Sequence, residues 1–233
     1  MRSKMKFAGI GLMLVAAAAF AADAVVLKMV YKKDQVTKYR YKGSLDFSGQ
    51  AIEVSLLLKE KVKEIDNNGN ATLEQETIEG KVTVGGQEME IPATPATVLT
   101  VKPNGDIKEI KGSDQINGDV YRYQNLMSFY PSNDSVTVGS KWVRKGTANK
   151  DTGAVAFSAS YEILGEEKIG ELDTFKIKYR IVETEGNDPA TNEGTVWVNK
   201  TDCGLIKATS KWSNVTMAGS PMPINGEFAI SRE

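Results

Sequence analysis

The stretch TFKIKYRIVETE, residues 174–185, sets Phe175, Ile177, Tyr179 and Ile181 against Lys176, Lys178 and Arg180. A period of two fits a β-strand, whose successive side chains point to opposite faces; a helix would scatter the same apolar residues around its circumference. One apolar and one charged face predict a sheet that is dry on one side and wet on the other. The pattern recurs along the chain. Leu27, Met29 and Tyr31 share one face, as do Tyr39, Tyr41, Leu45 and Phe47, with Lys38, Arg40, Lys42 and Asp46 opposite. Ile52, Val54, Leu56 and Leu58 continue it, and a loss of phase before Ile65 predicts a bend or bulge near residues 59–62.

Turn chemistry divides these runs into an antiparallel meander. DNNGN at 66–70, Val84-Gly85-Gly86-Gln87 and PNGD at 103–106 read as reversals, while PATP at 92–95 interrupts pairing because proline removes donors. ATLEQETIEGKVTV, QEMEI, ATVLTV and IKEI supply the strands between them, with an irregularity expected at Gly80. From Ser113 to Tyr130 the period changes. Ile116, Val120, Tyr123 and Met127 recur at three- and four-residue intervals, and Pro131 stops the segment, so one helix is expected there, with Gly118 as its weak point. After the weak boundary at 131–136 come further strands, including GAVAFSASYEIL, EGTVWVN and GLIKATSKW, and GNDPATNEG at 186–194 reads as a long polar connection. Roughly ten to twelve strands are expected at this spacing.

The chain begins MRSKMKFAGIGLMLVAAAAFAADA, with Arg2, Lys4 and Lys6 ahead of an apolar run that ends in small residues. That order is a secretory signal peptide, with Ala19-Phe20-Ala21 as the preferred cleavage site and Ala22-Asp23-Ala24 as a second one. Residues 1–21 are therefore expected to be removed, leaving residues 22–233 as one β-rich extracytoplasmic domain, periplasmic or secreted, with no stable membrane span. An uncleaved anchor is the alternative, although the apolar run barely reaches bilayer length. Of 29 basic and 30 acidic side chains, three basic ones leave with the signal, so 26 face 30. A mildly acidic, mixed surface is a poor fit to nucleic acid or acidic membrane.

The sequence has no histidine and one cysteine. This removes imidazole-activated nucleophiles and the ordinary histidine-containing and four-thiolate zinc sites. Carboxylate or lysine chemistry stays open, so an unfamiliar hydrolase is a third function class. The acidic pairs Glu166-Glu167, Glu171-Asp173 and Glu183-Glu185 are candidates for calcium or acid–base work, but none has EF-hand spacing. KEKVKEI, residues 59–65, reads as a solvated strand face. No catalytic, cofactor-binding or metal-ligating residue is assigned, and no cofactor is expected.

SVTVGSKWVRKG, YEILGEEKIGELDTFKIKYRI and GTVWVNKTDCGLIKATSKW follow one another with Gly139 and Trp142, then Gly170 and Phe175, then Trp197 and Gly204, at strand ends and turns. The arrangement resembles uncharacterised secreted bacterial β-rich proteins, and at fold level it is similar to the half-barrel group that includes periplasmic lipoprotein carriers. The resemblance implies a curved sheet with an apolar concave side, in some members holding acyl chains. The expected fold class is mainly β: a curved antiparallel meander, open or half-barrel, with one helix packed on or near the sheet.

Two readings of the apolar faces follow. Tyr39, Tyr41, Leu56, Leu58, Phe175, Ile177, Tyr179 and Ile181 pack as a closed core in one, and in the other a curved sheet leaves part of that face as a pocket for an apolar or lipid-like molecule. The first suits a structural or protein-interaction module of the cell envelope, the second a non-enzymatic carrier. Cys203 stands in the polar reversal Asn199–Gly204, between Val196 and Val198 on one arm and Ile206 and Ala208 on the other. That placement predicts a solvent-facing thiol, able to link two chains as a dimer.

Overall fold

A computed structural model describes residues 24–47, 49–112, 116–186, 188–217 and 222–233. The expected signal peptide lies outside them. β1 (Val25–Val26) leads through a strap, residues 27–35, into a first arm: β2 (Val36–Phe47), β3 (Gln50–Ile65), β4 (Ala71–Val84), β5 (Gln87–Glu90), β6 (Thr97–Val101) and β7 (Ile107–Lys111). Then come α1 (Gly118–Met127) and β8 (Ser135–Val136). The second arm holds β9 (Lys141–Gly146), β10 (Phe157–Ile169), β11 (Leu172–Glu183), β12 (Thr191–Asn199), β13 (Leu205–Val215) and β14 (Ile224–Arg232).

Twelve of these strands form one sheet in the order β7-β6-β4-β3-β2-β14-β13-β12-β11-β10-β9, with β5 added to β4; β1 and β8 pair separately. Pairing is antiparallel throughout. Each arm is a meander, and the arms join where β2 meets β14, Gly43 opposite Phe228. The sheet does not close: β7 and β9 are its ends.

The curvature follows from one contact. At roughly 4.8 Å per strand, a flat sheet would separate β9 from the β6–β7 turn by more than about 40 Å. Arg144 on β9 instead donates through Nη2 to both carboxylate oxygens of Asp106 in that turn, at 2.6 Å each. The segment after the helix fills the gap. Gly105, at φ +86°, sits so close to Phe129 that an added Cβ would collide with the Phe129 carbonyl. Trp142 Nε1 donates to the Tyr130 carbonyl at 2.8 Å, and Tyr130 N donates to Tyr161 Oη at 3.2 Å.

The helix is shorter than the periodicity predicts, Gly118–Met127 in place of 113–130. Asn117 caps it, its Oδ1 accepting from Asp119 N at 3.1 Å and Val120 N at 3.3 Å. Gly118 therefore falls at the first helical position, where it interrupts no ladder. Ser128 ends the helix in extended conformation, and Tyr130 turns into the core, 1% exposed. Residues 113–115 lie outside the description.

Bulges fall close to where the phase changes predict them. Ile78 is the extra residue of β4 beside Leu57 and Leu58, and Lys63 is that of β3 between Val62 and Glu64. The long connection expected at 186–194 is shorter, because Glu183 N donates to the Ala190 carbonyl at 2.9 Å and β12 starts at Thr191. Its polar residues mislead: Asn192 faces the core.

The apolar core is unevenly distributed. On the second arm Phe175, Ile177 and Ile181 are fully buried, covered by Leu27 of the strap, Leu126 of the helix, Tyr130 and Val136. Among the described residues the first arm buries a smaller set, the cluster Val62, Ala71, Leu73, Leu99 and Val101 together with Leu57 and Ile110. Most of its concave wall has no such cover.

Candidate functional site

The uncovered wall bounds a cavity of about 300 Å³. Its floor is the first arm, with Tyr39, Tyr41, Leu56 and Leu58 facing in. Its opposite side is the helix, through Tyr123, Leu126 and Met127, and the strap closes one flank with Met29 and Tyr31. The strap is held at both sides of the opening, Met29 N donating to the Pro103 carbonyl at 3.2 Å and Val30 N to the Asp202 carbonyl at 3.0 Å. The apolar face is therefore divided: Tyr39, Tyr41, Leu56 and Leu58 of the first arm and Tyr179 of the second line the cavity, while Phe175, Ile177 and Ile181 are packed core.

A polar network fixes the helix against β12. Asn192 Nδ2 donates to the Leu126 carbonyl at 2.8 Å, and Asn192 Oδ1 accepts from Ser210 Oγ at 2.7 Å and Tyr179 Oη at 3.1 Å. Trp212 Nε1 donates to Ser210 Oγ at 2.7 Å. Beside it, Arg122 Nε and Nη2 grip the two Glu183 oxygens at 2.7 Å each, and Glu183 Oε2 also accepts from Ala190 N at 3.0 Å. Since Asn192 and Glu183 are almost fully buried, these bonds satisfy groups that would otherwise be costly to enclose.

The wall also contains a carboxyl that the sequence pattern hides. In KEKVKEI, Lys59, Lys61 and Lys63 do face outward, pairing with Glu76 at 2.7 Å, Asp34 at 3.6 Å and Glu74 at 2.8 Å. Glu60 points the other way, into the cavity, and Gln75 Nε2 donates to its Oε2 at 2.8 Å. The solvated reading is thus corrected for this residue. The signal was available, since Glu60 continues the face of Leu56 and Leu58 and the phase changes only at Lys63. Burial pushes the Glu60 carboxyl above its usual pKa, the bond from Gln75 opposing the shift.

Cys203 is corrected as well. It is 5% exposed, lines the cavity and takes the left-handed conformation, φ +56°. Its N–H donates to the Asn199 carbonyl at 2.9 Å, and the strap lies over it. Burial pushes the thiol up to about 12, with the backbone hydrogen bond from Lys28 opposing. The expected solvent-facing thiol, and with it a ready link between two chains, is not what the fold presents. A bulge after Trp197 also places Leu205 on the wall where strict alternation would put Ile206.

The acidic pairs do not converge. Glu166 pairs with Lys200 at 2.9 Å, Glu167 with Lys207 at 3.1 Å and Trp197 Nε1 at 2.6 Å, Glu171 with Lys168 at 3.8 Å, and Glu183 with Arg122. Among the described residues no group of three or more His, Cys, Asp or Glu side chains is placed to hold a metal ion. Of the six positions that carry the resemblance, Gly204 alone lines the cavity. Gly139 and Gly170 occupy positive-φ turns, Trp142 stacks on Tyr161 at 4.9 Å, and Trp197 lies under Lys207 at 4.2 Å.

No family model and no curated protein matches the chain. Among solved structures it is similar to lipovitellin, in a structure concerned with lipid–protein interactions, at 11% identity and a TM-score of 0.48 over 87% of this chain and 25% of that one. It is also similar to the hypothetical lipoprotein YmcC from Escherichia coli, at 15% identity and a TM-score of 0.30, with 87% of this chain and 89% of that one covered. A DUF1329 family protein from Desulfovibrio piger matches at 12% identity and a TM-score of 0.22 over 86% and 84% of the two chains. The chain spans about a quarter of the lipovitellin chain.

Proposed function

We propose that this is an exported, non-enzymatic binding or carrier protein whose cavity holds an apolar or lipid-like molecule. The observation that carries this reading is the asymmetry of the sheet. The same chain that buries Phe175, Ile177 and Ile181 of the second arm completely leaves Tyr39, Tyr41, Leu56 and Leu58 of the first arm facing a space of about 300 Å³. Protein interiors are close-packed, and an apolar wall without cover forfeits contacts that a ligand can supply. Export is supported by the order of charge, apolar run and small residues at the start of the sequence. The non-enzymatic part is supported by the chemistry of the wall, where the one thiol is held protonated and has no imidazole beside it.

Native mass spectrometry of protein taken from its own compartment tests the proposal. The expected spectrum shows a small-molecule adduct that organic extraction removes and that returns on exposure to an apolar ligand. If the extracted, folded protein binds no neutral apolar probe, the carrier reading fails. A stable protein partner in the same spectrum, with no adduct, would favour an envelope interaction module in its place.

A further inference from the structure

Across the floor of the cavity, three strands set three polar side chains side by side. Thr37 on β2 lies opposite Glu60 on β3, which lies opposite Gln75 on β4, and all three line the cavity. The rungs on either side, each roughly 7 Å away along the strands, are more apolar. On one side are Val62 and Leu73, with Gln35 beside Val62, and on the other Tyr39 and Leu58, with Thr77 opposite Leu58. A carboxyl in the middle of such a floor has a purpose that packing does not supply.

Its charge environment is one-sided. Among the described residues that line the cavity, Glu60 and Asp202 are acidic and none is Lys or Arg. Asp202 is engaged in its own turn, Oδ1 accepting from Gly204 N at 2.8 Å. Glu60 Oε2 takes the Gln75 amide, which leaves Oε1 as the acceptor available to a guest. Tyr31, Tyr39 and Tyr41 line the same cavity as Glu60, and Tyr39 stands one rung along from it on the neighbouring strand. Aromatic rings sharing a wall with an anion are elements from which sites for ammonium groups are made.

Resting on the cavity reading above, we infer that the ligand is a single-chain amphiphile with a cationic amine head group, its ammonium received by Glu60 Oε1 among Tyr31 and Tyr39. The size fits one chain, since about 300 Å³ is at the lower end of the ~300–1,000 Å³ range of small-molecule sites. The sign fits as well. An ammonium ion supplies the counter-charge that a carboxylate in an apolar wall lacks, whereas a carboxylate or phosphate head would meet a like charge. Arg232 is the basic group an anionic head would have to recruit. It pairs across from Tyr39 and its Nη1 approaches Gly204, but it is outside the lining.

The test is competition at neutral pH by dodecylamine, dodecanol and dodecanoate, each below its micelle concentration, against a neutral fluorescent naphthylamine probe. A charge-assisted bond to Glu60 is expected to make dodecylamine bind about 10- to 100-fold tighter than dodecanol, with dodecanoate weakest. In Glu60→Gln the amine-to-alcohol ratio should fall toward one. The head-group series on the unaltered protein stands without the variant if that fails to fold. Equal affinities for the three probes, or an amine preference that survives Glu60→Gln, overturn the head-group inference and leave an unselective carrier. Dodecanoate binding tightest, and lost in Arg232→Gln, overturns it in favour of an anionic ligand. Failure of all three probes, dodecanol included, overturns the cavity reading itself.

Discussion

Replacing Arg122 by Ala tests what holds the helix over the cavity. Glu183 is 4% exposed and its carboxylate receives two charge-assisted bonds from Arg122, leaving only the Ala190 amide if the arginine is removed. Breaking a buried pair on one side costs ~3–5 kcal/mol, because the remaining charge is enclosed without its partner. The Arg122 side chain is 22% exposed, so water can partly replace it, and we expect the lower end, about 3 kcal/mol. For a domain of this size that corresponds to a fall in Tm of about 6–12 °C. The double variant Arg122→Met/Glu183→Gln removes both charges and keeps an acceptor for Ala190 N, and should recover at least half of the loss. Guanidinium unfolding with unchanged slope, combined in a double-mutant cycle, reads both quantities. Faster hydrogen exchange over residues 118–127 should accompany the single substitution. An Arg122→Ala loss below about 1 kcal/mol, or a double variant no better than the single one, would refute a helix pinned by this pair.

Cys203 should resist alkylation at pH 8 in the folded protein and react at once in denaturant; rapid labelling of the native form would contradict its burial. Alkali should unfold the protein. Burial raises the hydroxyls of Tyr31, Tyr39 and Tyr41, takes Tyr123 to about 12 and takes the Cys203 thiol to about 12. The unfolded chain sheds these protons near pH 9 to 10 while the native state keeps them. Stability is therefore complete below that range and falls as pH rises toward 12. A melting temperature that is flat from pH 9 to 12 would count against this. Asn192→Ala strands the Leu126 carbonyl and loosens the Ser210–Trp212 bond, at a cost of about 2–4 kcal/mol in denaturant unfolding; a change near zero would mean that water replaces the amide.

Alternation made the strands legible, because each depends on its own sequence: residues 175–181 show both faces of β11 before any partner is known. The helix was legible in kind but too long, since its end is set by Asn117 capping and by Tyr130 turning toward Tyr161, a contact across 31 residues. What stayed hidden was decided by segments far apart in the chain. Cys203 sits in the polar run NKTDCG, and its burial comes from the strap carrying Lys28 and Val30. Asn192 lies in a stretch with loop composition, and its place in the core comes from the Leu126 carbonyl. Glu60 was within reach, since the phase of Leu56 and Leu58 extends to it. The prior that alternating charges are solvated obscured it.

The seam between β2 and β14 bears on how the molecule assembles. Nearly every other pairing in the main sheet joins strands that are neighbours in the sequence, so both arms can form by local hairpin closure. Gly43 must find Phe228, 185 positions later in numbering. During synthesis from the amino terminus, β2 therefore presents an open edge with the Tyr39 and Tyr41 face beside it until residues 224–232 have emerged. Over that interval the first arm is a template for unwanted pairing, and its cavity is a half-exposed apolar wall. Completion of the last strand joins the arms and removes that edge, so the carboxyl-terminal residues act as the latch of the whole sheet.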